Sequence, residues 1–165
     1  MKTFASVIIV AGLFLTAASV AMRADHPRAG QNLKDAKWSP APPFLPKGAE
    51  IAVLDGDPTK PVLYAVRLKF PEHYAIPAHS HPTNEHVVVT SGALVFGMGN
   101  VLDKRSSANM KLTVGGFVDA SANVNHFAFT DEETTIVLYG EGPVEFKYVN
   151  PNDDPRNVRN VRRQQ

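Results

Sequence analysis

Residues 79 to 85 read His-Ser-His-Pro-Thr-Asn-Glu, with Gly92 seven positions beyond the glutamate and His126 inside a second apolar run, Val124 to Phe129. Side chains repeat every two residues in extended backbone, so His79 and His81 project from one face and can share one ion. Glu85 lies past the Pro82-Thr83-Asn84 turn and opens a strongly apolar stretch, His86 to Thr90. A carboxylate facing inward there needs a partner, and a metal ion provides one. Antiparallel pairing of the two apolar runs would bring His126 across from the first pair. The set is then three imidazoles and one carboxylate: His79, His81, Glu85 and His126. Taken alone, His79 and His81 read equally well as surface loop histidines; Glu85, Gly92 and His126 shift the balance to one divalent transition metal. These donors suit Mn, Fe, Co, Ni, Cu or Zn, and six-coordinate geometry leaves two positions open. Affinity alone favours Cu and Zn at most such sites, so the metal's identity stays open.

Outward from this stretch, short apolar runs alternate with turn signals. Ile51 to Leu54 precede Asp55-Gly56-Asp57-Pro58, and Val62 to Phe70 set Val66, Leu68 and Phe70 against Arg67 and Lys69. Further strands are expected at His86 to Thr90, Ala93 to Phe96, Met110 to Val114, Asn125 to Thr130, Thr134 to Tyr139 and Val144 to Val149. Short, evenly spaced strands indicate an all-β sandwich or barrel. No long 3.6-residue period occurs, and Leu102 to Ala108 is the one place for a helical turn. Val88, Leu94, Phe96, Met98, Phe127, Phe129 and Leu138 are expected to build the barrel walls, and Tyr64, Tyr74 and Tyr139 to serve packing. His86 has the opposite strand parity to Glu85 and should face away from the ion, and His73 reads as an ordinary loop histidine.

The segment from His79 to Glu85, with Gly92, resembles the first motif of the cupin superfamily. That motif usually has a glycine six residues before its first histidine, where this chain has His73. In the second motif Gly115 and His126 are correctly spaced, while Ser121, Asn123 and Thr130 stand where Pro, Gly and Asn are usual. Lys37 to Arg156, including Leu54-Asp55-Gly56-Asp57-Pro58 and Tyr148-Val149-Asn150-Pro151, is similar to small exported bacterial cupin-domain proteins. The resemblance implies a double-stranded β-helix, a jelly-roll-like barrel with the metal inside. It does not imply a reaction, since cupins include dioxygenases, isomerases, storage proteins and regulators.

The 165 residues suit one domain. Residues 1 to 21 carry Lys2, an apolar stretch and Ser19-Val20-Ala21, the form of a secretory signal peptide cleaved after Ala21; a retained membrane anchor is the bland alternative. Export makes the chain secreted, and periplasmic if the source is Gram-negative. Residues 22 to 46 form a proline-rich N-terminal arm that packs on its own barrel or crosses to a second subunit in a homodimer. Residues 47 to 150 form the barrel and 151 to 165 a charged tail. Seventeen basic and sixteen acidic residues give a formal charge of +1, which implies neither nucleic acid nor, after signal removal, a membrane as partner. With no cysteine in the chain, disulfides, thiolate metal sites and a cysteine nucleophile are excluded. Two functional readings follow: a metal-dependent oxygenase or isomerase acting on a small oxygen-bearing molecule, or a non-catalytic metal- or ligand-binding sensor module.

Overall fold

In the computed structural model the described residues are Gly30 and residues 32–157. The chain divides into two units, Met1–Gly30 and Gln31–Gln165, and the architecture below is that of the second. The signal-peptide reading for residues 1 to 21 lies outside the described residues, as do residues 22–29 of the arm and 158–165 of the tail.

Eleven strands are present among the described residues: β1 (Ser39–Pro40), β2 (Glu50–Asp55), β3 (Leu63–Phe70), β4 (Ala75–Ser80), β5 (Glu85–Ser91), β6 (Leu94–Met98), β7 (Met110–Leu112), β8 (Phe117–Ala120), β9 (His126–Phe129), β10 (Thr134–Glu141) and β11 (Lys147–Tyr148). They form two antiparallel sheets, β1-β2-β3-β10-β5-β8 and β11-β4-β9-β6-β7. Among the described residues helix is confined to single 3-10 turns at Leu33–Asp35 and Pro151–Asp153. Leu102 to Ala108, expected as a helical turn, is a series of turns without a helix. The fold is the all-β double-stranded β-helix of a cupin.

Alternation explains the larger sheet. Tyr64, Val66, Leu68 and Phe70 of β3 are buried, whereas Arg67 and Lys69 between them are not. Leu68 stands opposite Ile136 and Val66 opposite Leu138, so apolar cross-strand pairs line the interior. On β5 the inward set is Glu85, Val87 and Val89, which moves Val88 off the expected wall: it shares the parity of His86 and is half-buried. Leu94, Phe96 and Leu138 do belong to the main core. Phe127 and Phe129 instead occupy the other face of β9, in a small cluster with Val95 covered by Ala75 and Leu102, and Met98 is 54% exposed.

Strands β4 and β8 fall outside the expected set, and the run Val144 to Val149 is a strand only at β11. Pro77 hides β4 from propensity, because proline cannot donate to a ladder and occurs in sheets mainly at edges or bulges. Ile76 pairs with Ala128 and His79 with His126, so Pro77 and Ala78 together stand opposite Phe127. Such a two-against-one bulge reverses the facing of the strand beyond it. Ile76 and His79, three residues apart, therefore both line the interior.

The arm lies on its own barrel where it is described. Ser39 and Pro40 pair with Ile51 and Glu50, Leu45 is buried, and Phe44 stacks on Phe146 with centroids 4.7 Å apart. The Tyr148 hydroxyl donates to the Phe44 carbonyl at 2.6 Å and the Tyr74 hydroxyl to the Pro46 carbonyl. The ammonium of Lys69 sits 4.9 Å over the Trp38 ring.

Candidate metal centre

His79 is the penultimate residue of β4, His126 opens β9 directly opposite, and His81 follows immediately after β4. One ligand nitrogen from each lies within 4.8 Å of the others, and all three residues are buried. Each ring is oriented by a backbone carbonyl at Nδ1: Pro77 for His79 at 2.7 Å, Glu145 for His81 at 2.9 Å and Val124 for His126 at 3.0 Å. A carbonyl only accepts, so Nδ1 carries the proton and Nε2 keeps its lone pair. The same division of labour orients histidine ligands in metal sites. Burial depresses all three imidazoles, His81 and His126 to about 4 and His79 well below its ordinary value, with the neighbouring rings adding to the effect on His79. At neutral pH they are uncharged donors.

Glu85 starts β5, paired with Gly140 and Ala120, and its side chain points inward. Its Oε2 is 3.2 Å from His81 Nε2, yet that nitrogen has no hydrogen-bond partner among the described residues. The distance and the missing bond are compatible: with the proton on Nδ1 and the carboxyl ionised, two lone pairs face each other. A cation would relieve that repulsion, and the donor set of three neutral imidazoles beside a carboxylate fits a divalent transition metal. The three histidines can hold an ion; Glu85 stands at the edge of their cluster, in contact with His81. Burial raises the Glu85 carboxyl to about 7, against which the hydrogen bond from the Tyr64 hydroxyl to Oε1, 3.2 Å, acts in part.

Tyr64 is therefore more than a packing residue. Its hydroxyl is raised in pKa by burial and then by the nearby Glu85 charge, and it stays a proton donor. The signal was present in β3, where period two from Val66, Leu68 and Phe70 puts Tyr64 inside, and a buried phenol needs a partner. Phe146 has no comparable signal. Its ring stacks on His79 at 4.4 Å and meets His81 edge-on at 4.4 Å, closing one side of the centre. His86 lies between Tyr139 and Phe117, away from the centre, and His73 is exposed beside Glu72. Tyr74 packs on Phe70, and Tyr139 is 40% exposed.

Two cavities adjoin the centre. A small one of about 40 Å³ touches His79 and His126, and one of about 120 Å³ is lined by Tyr64, Val66, Phe44 and Val144. Leu45, Leu68, Glu85, Leu138 and Phe146 line both.

Solved structures similar to this chain share its fold. A polyketide cyclase, RemF from Streptomyces resistomycificus, aligns at TM-score 0.62 and 12% identity, covering 80% of this chain and 92% of its own. A Methylibium petroleiphilum protein provisionally described as an acetylacetone dioxygenase gives TM-score 0.59 and 17% identity over 81% of this chain and 89% of its own. An RmlC-like cupin from Shewanella frigidimarina gives 0.52 and 14% over 67% and 87%. Comparison with curated proteins returns no match. The family model described as Domain of unknown function (DUF4437) matches residues 17–147, most of the length over which the cupin barrel is built, and the chain belongs to that family.

Proposed function

We propose that this chain is an exported, metal-dependent cupin enzyme, in which His79, His81, Glu85 and His126 hold one divalent ion against a small oxygen-bearing substrate. The observation that carries the reading is the clustering of three buried imidazoles, each oriented through Nδ1 by a backbone carbonyl, with the unpartnered His81 Nε2 facing the Glu85 carboxyl beside an interior chamber. When bound, a divalent ion supplies Lewis-acid stabilisation of negative charge developing on a substrate oxygen, and its identity decides whether oxygenase chemistry is within reach. The chain's own contribution is fixed in advance. Three backbone carbonyls lock the imidazoles, Tyr64 orients Glu85, and Phe146 with the arm keeps water from one side. The structural similarity to a polyketide cyclase supports catalysis on this fold only as a precedent.

The test is elemental analysis with metal-titrated melting of wild type and a His79→Ala, His81→Ala double variant. About one ion per chain is expected, lost in the variant together with the metal-dependent rise in melting temperature. Water-proton relaxation of the manganese-loaded protein then separates the two readings. Exchangeable water at the ion supports catalysis; an ion that exchanges none marks a closed site and a non-catalytic binding module. For export, the mature protein recovered from the cell envelope should begin at Met22; an intact Met1 in that fraction would mean a retained anchor.

A further inference from the structure

The chamber between the arm and the larger sheet limits what can approach the centre. Its volume, about 120 Å³, is close to the ~150 Å³ apolar cavity that admits benzene. That is room for a body of about five or six heavy atoms. The wall is almost wholly apolar, with Phe44, Ile51, Val66, Leu138 and Val144 prominent, and no Lys or Arg among the described residues lines it. Its polar side chains are few and engaged. The Thr59 hydroxyl donates to Asp57 at 2.7 Å, and Tyr64 donates to Glu85. A polyhydroxylated ligand would leave several groups unpaired, at roughly 1–3 kcal/mol each, and a phosphate would meet no cationic side chain. The roof is fastened by the Tyr148 and Tyr74 hydroxyls to the arm carbonyls, so the shape is formed before anything binds. Polarity enters from one direction, Glu85, the residue that also lines the cavity at the histidines.

We infer that the chamber selects a compact molecule, apolar over its body and bearing oxygen at one end, with that end directed to Glu85 and the three histidines. The inference rests on the metal reading above for the role of the oxygen, and on the chamber alone for the apolar body. Sugars, nucleotides and phosphorylated metabolites are excluded by the same wall that favours a short cyclic or branched ketone or aldehyde.

The experiment uses the purified chain with and without cobalt(II), and four probes: cyclopentanone, cyclopentane, ribose and inorganic phosphate. Calorimetry reads binding, and cobalt absorption reads contact with the ion. Cyclopentanone should bind and shift the cobalt spectrum; cyclopentane should bind without shifting it; ribose and phosphate should do neither. Ile51→Phe and Val144→Phe fill the chamber from two partly buried walls, away from the imidazoles. Each should weaken cyclopentanone and cyclopentane by at least about tenfold and leave the cobalt spectrum as in wild type. If ribose or phosphate moves the spectrum and cyclopentanone does not, the ligand class is wrong while the metal site stands. Failure of the chain to take up cobalt, with cyclopentane still bound and displaced by both fillings, sinks the metal reading and supports apolar selection. Failure of both ring compounds to bind overturns the inference outright.

Discussion

Two departures from the cupin motifs turn out to have one physical meaning. His73 stands where a glycine usually precedes the first motif, and Asn123 where one usually lies in the second; these are the two non-glycine residues with positive φ among the described residues, +60° and +61°. The backbone keeps the left-handed conformation and a side chain tolerates it. Asparagine and histidine are among the side chains that accept that region most readily, whereas most others lose roughly 1–2 kcal/mol there. His73→Gly and Asn123→Gly should therefore each change stability by less than about 0.5 kcal/mol, because the small strain relieved is offset by the entropy glycine adds to the unfolded chain. Urea denaturation of both variants checks this; a larger destabilisation by His73→Gly would show that its contact with Glu72 matters more than the backbone.

At the scale of elements, the turn between β5 and β6 decides how the two sheets join. Gly92 has φ +71°, and a Cβ there would lie 2.4 Å from the Glu133 carbonyl oxygen and 2.8 Å from Thr134 Oγ1. Thr134 is fully buried, and its hydroxyl holds Ala93 through both the amide and the carbonyl. Neither backbone nor threonine has room to yield. Gly92→Ala should cost roughly 2–4 kcal/mol, combining left-handed strain with the clash, measured as a shift in the urea midpoint at unchanged slope. A loss under about 0.5 kcal/mol would mean that the turn can be rebuilt without its glycine. The spacing of Gly92 from Glu85 is thus a constraint on chain reversal, and Glu85 reaches its place because β5 must turn back there.

For the whole molecule, the buried titratable groups set a pH dependence that the metal-free chain should show. Burial lowers His81 and His126 to about 4 when folded and holds His79 well below its ordinary value of 6.5. Between those limits the unfolded chain binds protons that the folded chain refuses. The histidines' contribution is present above 6.5 and lost as pH falls. Glu85 acts in the opposite sense: its folded value of about 7 exceeds the ordinary 4.5, so its contribution is present below 4.5 and lost as pH rises through 7. Three groups against one leave a net loss of stability on acidification between 6.5 and 4.5, with a limiting slope of about 3 kcal/mol per pH unit. Denaturant melts of metal-free protein at about pH 7 and pH 5 should show the loss, and His126→Asn should reduce the slope by about half. A flat profile would mean that the histidines are solvated or paired in a way this barrel does not provide.

Strand parity and residue spacing by themselves determined that the barrel is all-β, that His79 and His81 face one way, that His86 faces the other, and that Glu85 needs a partner inside. These are local properties, because the two-residue repeat of extended backbone and the penalty for a buried carboxylate act on any strand. Parity also failed where it was interrupted. The bulge at Pro77 and Ala78 re-aims β4, because its facing depends on register with β9, whereas on β9 parity holds and turns Phe127 and Phe129 away from the inward His126 and Ala128 to a second cluster. Only the tertiary structure decided that Tyr64 donates to Glu85 across 21 positions, that the Glu145 carbonyl orients His81 across 64, and that Phe146 and the arm close the chamber. Contacts at such separations leave no spacing to read, since loop lengths and sheet order set which side chains meet.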